Sequence, residues 1–236
     1  MSTALPPRAA FWRGVAVSLP FTIAVAPFGL VFGIAATDAG LDPVQALAFS
    51  VFVNAGAAQL AALQLMSEGA PFVVMLLTAL AVNLRLAMYS ASLAPHLAGA
   101  SFRARMGVAF FLFDQVYAAA ILQYERQPGW AVPAKLAYFA GAVVPITPIW
   151  LGGTLLGATV GHQLPAGLPI DQVVPITFLA IIAPMLRTLA HGAAAAVSVV
   201  AALALSGVPW SLGLPLAGLL AMLAGAAVEA RRERRA

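Results

Sequence analysis

The stretch "NLRLAMYSASLAPHL" (residues 83–97) follows "PFVVMLLTALAV" (71–82) without a break and places Arg85 inside an apolar run. What a guanidinium does there depends on the solvent around that run. The chain has 236 residues, of which 62% are hydrophobic and 8% charged, with a mean hydropathy of +0.96. A soluble domain carries about 25% charged residues, so this chain lacks the side chains needed to coat a water-facing surface. The composition implies an all-α, polytopic helical membrane protein, because helices satisfy their own backbone hydrogen bonds in lipid. We read residues 1–236 as a single integral-membrane domain.

The net charge of +4 is concentrated at the ends, in Arg8, Arg13 and "RRERR" (231–235). These arginines read as topogenic; nothing aromatic or basic is organised between them, so no nucleic acid is expected as a partner. Cysteine is absent, which removes disulfides, thiolate metal sites and cysteine nucleophiles together. Two arginines followed by "VAVSLPFTIAVAPFGLVFGIAA" (15–36) give the N-terminus a faint signal-peptide look. That run is long enough to span and more spans follow, so we read it as the first transmembrane helix.

Crossing the hydrocarbon takes about 20 helical residues. Punctuation by polar residues, glycine and proline places spans near 15–36, 44–66, 71–94, 104–124, 134–160, 172–190, 191–206 and 210–229. The sixth and seventh read either as a tight hairpin or as a span plus a re-entrant segment. With eight spans and a cytoplasmic N-terminus, Arg8, Arg13, Arg126, Lys135, Arg187 and the four tail arginines lie inside, as the positive-inside rule asks. Arg103 and Arg105 then fall outside, beside Asp38, Asp42 and Asp171, against the rule. Seven spans, with one segment re-entrant, is the alternative.

A weak internal duplication is visible. "GLVFGIA" (29–35) resembles "GTLLGAT" (153–159), and "LDPVQALAF" (41–49) resembles "IDQVVPITF" (170–178), which would divide the chain into halves 1–126 and 127–236. Prolines come in pairs: Pro20 and Pro27, Pro145 and Pro148, Pro175 and Pro184. Each removes a helical hydrogen bond and frees a carbonyl, which in lipid must face protein or water. We therefore expect broken helices in the first, fifth and sixth spans, around a midplane site. Gly29 and Gly33, and Gly153, Gly157 and Gly161, give small faces for close helix contact.

Arg85 shares one helical face with Thr78, Tyr89 and Ser92. A mid-span arginine costs about 2.5–3.5 kcal/mol on insertion scales, so it should pair or line water. Asp114 is the one carboxylate expected at a span centre. It and Arg85 are equally far from the midpoint of the intervening loop, so an antiparallel hairpin sets them at the same depth. A buried Arg85–Asp114 pair follows, acting either as helix register or as a gate or substrate site. Ser50, Asn54 and Gln64 fall on one face of the second span and Gln59 on another. Asn83 precedes Arg85 by two residues, while Gln115 and Tyr117 accompany Asp114; interhelical hydrogen bonding is the plain reading of each. His96, His162 and His191 are widely spaced at span ends and form no metal motif. Hydrolase, metalloprotease and phosphate-loop signatures are absent, so neither an enzyme nor a cofactor is called for. Any transport would draw on a gradient or a partner subunit.

Together, "APFGLVFGIAATDAGL" (26–41), "SVFVNAGAAQLAALQL" (50–65), "NLRLAMYSASLAPHL" (83–97) and "FDQVYA" (113–118) resemble the successive signatures of the AzlC-type branched-chain amino-acid permease family. "PITFLAIIAPMLR" (175–187) is similar to that family's C-terminal segment. The resemblance implies the large subunit of a bacterial inner-membrane exporter of leucine, isoleucine and valine, working with a small AzlD-type membrane subunit. Leu86 stands where the family usually has histidine, and Gln115 where it usually has glutamate. Both departures remove titratable groups and leave Asp114 as the carrier of any coupled proton.

On this reading a broken first helix with Pro27, Gly29 and Gly33 offers helix ends to a zwitterionic amino acid. A helix N-terminus would favour its carboxylate, and freed carbonyls or Asp114 its ammonium. The transport pathway would be lined by these residues with Asn54, Gln59, Asn83, Arg85, Tyr89, Asp114 and Gln115. Both chain ends would be cytoplasmic. The competing readings are a membrane scaffold, a channel subunit without alternating access, and an exporter of another small apolar amino acid such as methionine.

Overall fold

In the computed structural model, the residues described are 5–161, 186, 188–208 and 213–233. Apart from turns and short links they are helical, with no strand among them. The elements are α1 (Pro7–Ser18), a 3-10 turn (Leu19–Phe21), α2 (Thr22–Asp38), α3 (Pro43–Phe52), α4 (Gly56–Ser67) and α5 (Phe72–Leu93). A second 3-10 turn (Ala94–Leu97), α6 (Phe102–Phe110), α7 (Asp114–Arg126), α8 (Val132–Gly161), α9 (Leu189–Ala204) and α10 (Gly213–Glu233) complete them. Three helical stretches, Pro7–Asp38, Phe72–Leu97 and Val132–Val160, are long and apolar enough to cross a membrane. The all-α membrane class read from composition is the class observed.

Packing divides the chain into two interleaved units, Met1–Leu60 with Asn83–Leu168, and Ala61–Val82 with Pro169–Ala236. In the first unit α8 packs along both α1 and α2 and also meets α3 and α7. In the second, α9 packs against α10.

Glycine sets the α2–α8 distance. A Cβ on Gly29 would lie 2.8 Å from the Trp150 carbonyl oxygen, and one on Gly33 would collide with the Thr154 carbonyl. Gly153 and Gly157 return the approach, with added Cβ atoms meeting the Ala26 and Leu30 carbonyls. Such backbone contact gives two helices dispersion energy that bulkier interfaces forgo.

Proline pointed to one of the breaks and missed two. α8 runs unbroken through Pro145 and Pro148, and α2 through Pro27. Of the described prolines named above, only Pro20 interrupts its helix, in the 3-10 turn. There Thr22 Oγ1 donates to the Leu19 carbonyl at 2.6 Å, and Ser18 Oγ to that of Gly14 at 3.0 Å. In α8, long contacts with α1 and α2 hold the segments either side of each proline in line, so one lost hydrogen bond does not end the helix. The second and fourth spans, which lack internal proline, break as well. α3 closes with Val53 N–H donating to Phe49 O and Val53 leaving helical geometry at φ −113°, ψ 86°; α4 starts at Gly56. α6 closes at Phe111, and Phe113 is extended at φ −83°, ψ 157° before α7 begins at Asp114. The expected sixth span, with Pro175, Pro184 and Arg187, lies almost entirely outside the described residues, as do His162, Asp171 and the second copy of the longer repeat.

Candidate functional site

The two breaks touch. Asn54, in the link between α3 and α4, donates from Nδ2 to the Phe110 carbonyl at 2.9 Å. That carbonyl belongs to the last turn of α6, where helical acceptors have no partner of their own. Asn54 therefore caps one broken helix from inside the break of another.

One residue beyond the second break stands Asp114, the first residue of α7. Its Oδ2 accepts from Arg85 Nη1 at 2.9 Å. The depth argument thus places the pair correctly, but the expected burial is only partial: the side chains are 31% and 40% exposed. Asp114 has a second reason to be charged there, because a helix N-terminus carries a partial positive charge. Phe113 precedes it and offers no side-chain cap to the α7 N–H groups, so they remain available to an acceptor. Arg85 Nε and Asp114 Oδ1 are buried without a protein partner among the described residues.

The polar face of α5 continues from this pair. Tyr89 stacks on Tyr117 with centroids 3.9 Å apart and planes 9° from parallel, and Tyr117 Oη shares a hydrogen bond with Ser92 Oγ at 3.1 Å. α5 and α7 are thereby joined through an ion pair, a ring stack and a hydroxyl pair along one face. Gln115 occupies the first turn of α7. Asn83 lies two residues before Arg85 and keeps Oδ1 buried and unpartnered among the described residues.

At the first break the continuous-helix reading placed Ser50 and Gln59 on different faces. Interruption at Val53–Ala55 brings them together instead: Gln59 Nε2 donates to Ser50 Oγ at 3.3 Å, and Ser50 Oγ lies 2.9 Å from Thr154 Oγ1 of α8. All three side chains are fully buried. Gln64, expected on the Ser50 face, donates instead to Glu68 at 2.7 Å. An aromatic cluster joins α2, α3 and α8, with Phe28 and Phe32 against Trp150 at 5.8 and 6.2 Å and Phe32 against Phe49 at 5.7 Å. Gly56 admits Phe28, since a Cβ there would collide with its ring.

Of the ten residues singled out in sequence, Asn54 and Gln59 belong to the first break, and Arg85, Tyr89, Asp114 and Gln115 gather at the second. Asn83 flanks that second group. Gly29 and Gly33 do not stand at an open helix end: both are filled by the backbone of α8, and Pro27 is exposed on an unbroken helix. Thr154 and Trp150 were missed. Each sits among apolar residues of one long span, and only the fold brings them under the break.

A helical membrane protein in which two interrupted helices meet beside an intramembrane ion pair is of transporter type. The comparisons with known proteins give the particular family. The AzlC protein family matches residues 20–164, and the chain belongs to it. It is similar to the inner membrane protein YgaZ of Escherichia coli (strain K12), with 28% identity over 170 residues covering 70% of this chain and 66% of that protein. It is also similar to an uncharacterized membrane protein of Archaeoglobus fulgidus, with 30% identity over 164 residues covering 68% and 67%. The matched region thus spans about two thirds of the length of these relatives. No solved structure matches.

Proposed function

We propose that this chain is the large subunit of a secondary exporter of branched-chain amino acids in the bacterial inner membrane. The observation that carries the reading is the meeting of two helix breaks, through Asn54 and the Phe110 carbonyl, beside Arg85 and Asp114. A zwitterion presents an anion and a cation a short distance apart. Arg85 and the uncapped N-terminus of α7 suit its carboxylate, and Asp114 its ammonium. The substrate would share or exchange the partners of the ion pair, and release would restore the pair. Membership of the AzlC family and a chain otherwise rich in apolar residues support an aliphatic side chain as cargo.

A small, multispanning AzlD-type subunit is proposed as the partner. Among the described long spans α5 is the helix that most needs one: 6% of its apolar stretch is buried within the chain, against 28% and 33% for the stretches in Pro7–Asp38 and Val132–Val160.

The test is efflux. Cells loaded with labelled leucine, valine or methionine should lose the first two faster when this chain and the small subunit are overproduced together. Efflux equal to that of vector controls for all three would refute the reading. Faster loss of methionine alone would reassign the cargo.

A further inference from the structure

Ser50, Gln59 and Thr154 form a polar cluster that the ion pair does not use. The three side chains come from the last turn of α3, the first turn of α4 and the C-terminal third of α8, and each is 0% exposed. Their hydrogen bonding is incomplete. Ser50 and Thr154 share one hydrogen bond at 2.9 Å, Gln59 Nε2 reaches Ser50 Oγ at 3.3 Å, and Gln59 Oε1 is buried with no protein partner among the described residues. A buried acceptor left unpaired costs about 1–3 kcal/mol, so the arrangement is a poor one for structure alone. The donor contact is long, and half a turn of the amide exchanges its nitrogen and oxygen. With the oxygen inward, three neutral oxygens face one another beside the C-terminal end of α3, where helix carbonyls carry partial negative charge, and the unpartnered position passes from Oε1 to Nε2.

We propose that this cluster binds a sodium ion. Neutral hydroxyl and amide oxygens are hard donors that suit a small monovalent cation. A divalent ion would need carboxylates to offset its dehydration, and the cluster has none. A proton has no acceptor here, since no member of the cluster titrates near neutral pH. Bound sodium ties α3, α4 and α8 together across the first break and so fixes the link that carries Asn54. A cation gradient thereby acts on the same hinge that caps α6. Interrupted helices in membrane transporters offer such sites to coupling ions.

The proposal does not depend on which amino acid is carried, and its test uses none. The purified full chain in lipid nanodiscs is melted at constant ionic strength in sodium, potassium or choline chloride, and binding of radioactive sodium is measured directly. Sodium should raise the melting midpoint saturably, with potassium and choline ineffective. Thr154→Val and Gln59→Leu should each weaken sodium binding by about tenfold or more, while Thr159→Val, about one and a half turns further along α8, should leave it unchanged. A midpoint independent of cation identity, together with no saturable sodium binding to the unaltered chain, would overturn the proposal. So would an equal response to potassium, or full sodium binding in both cluster variants. If either variant fails to fold, Ser50→Ala and the unaltered chain's own binding isotherm still decide the matter.

Discussion

Arg85 and Asp114 meet at 2.9 Å with roughly a third of each side chain open, and that partial opening distinguishes them from a sealed structural pair. A closed pair would be reachable by nothing; this one keeps part of each side chain open, while Arg85 Nε and Asp114 Oδ1 stay buried without a protein partner among the described residues. Arg85→Ala and Asp114→Asn should each lower leucine efflux by about tenfold or more, the equivalent of about 1.4 kcal/mol, in the labelled-efflux assay. Exchanging the two charges separates the roles. Restored expression with restored efflux means the pair sets helix register and nothing else. Restored expression with efflux still lost means that one of the two touches the cargo. The pairing was legible in the sequence because depth in a hairpin depends only on counting residues from its turn. The proximity of Ser50 to Gln59 was not, because helical face arithmetic assumes 100° per residue without interruption. Three residues of non-helical chain at Val53–Ala55 cancel it.

At the scale of the element, proline marked the interruption at Pro20 but not the breaks at Val53–Ala55 and before Asp114, where Asn, Gly and Asp were the better signal. "VNAG" (53–56) pairs a β-branched residue with two poor helix formers, and Asp114 suits the start of a helix rather than its interior. Long packed helices such as α8 tolerate Pro145 and Pro148 because their neighbours hold them straight. The capping bond across the breaks gives a prediction. Asn54→Ala leaves the Phe110 carbonyl without its donor and should lower stability by about 1 kcal/mol, read as a drop in the midpoint of thermal unfolding. The helix contact gives another. Gly33→Ala forces a methyl against the backbone of α8, its Cβ 2.6 Å from Ala158 N, and should cost about 1–3 kcal/mol. Gly152→Ala meets nothing within 4 Å and should melt like the unaltered chain. Equal melting of all three variants would remove the glycine contact and the cap together from the account of stability.

For the whole molecule, composition alone gave the class, since a chain with 8% charged residues has too few polar side chains to cover itself in water. Sidedness follows from arginine placement: reporter fusions after residue 40 should read outside and those after residue 232 inside, and equal readings at both points would refute the eight-span topology. Division into interleaved units was not legible, because pairing between distant segments leaves no periodic mark in sequence. The partner question is also decided at this scale. Leu77, Leu80, Leu84 and Met88 follow steps of three and four along α5, and each is more than half exposed, so one continuous apolar stripe faces outward. Lipid would satisfy it, and so would the apolar face of a small subunit; solvation by either is favourable, so energy does not choose between them. Accessibility does. The chain contains no cysteine, so single cysteines at Leu84, Met88 and, as a control, Ile23 of α2, 79% exposed, can be introduced without background. With the AzlD-type subunit co-produced, a membrane-soluble maleimide should label the Ile23 position fully and the two α5 positions about tenfold more slowly than in its absence, the ratio expected when about 1.4 kcal/mol favours the covered state. Labelling of α5 that is unchanged by the small subunit would leave that stripe to lipid and move the partner's docking face elsewhere on the chain.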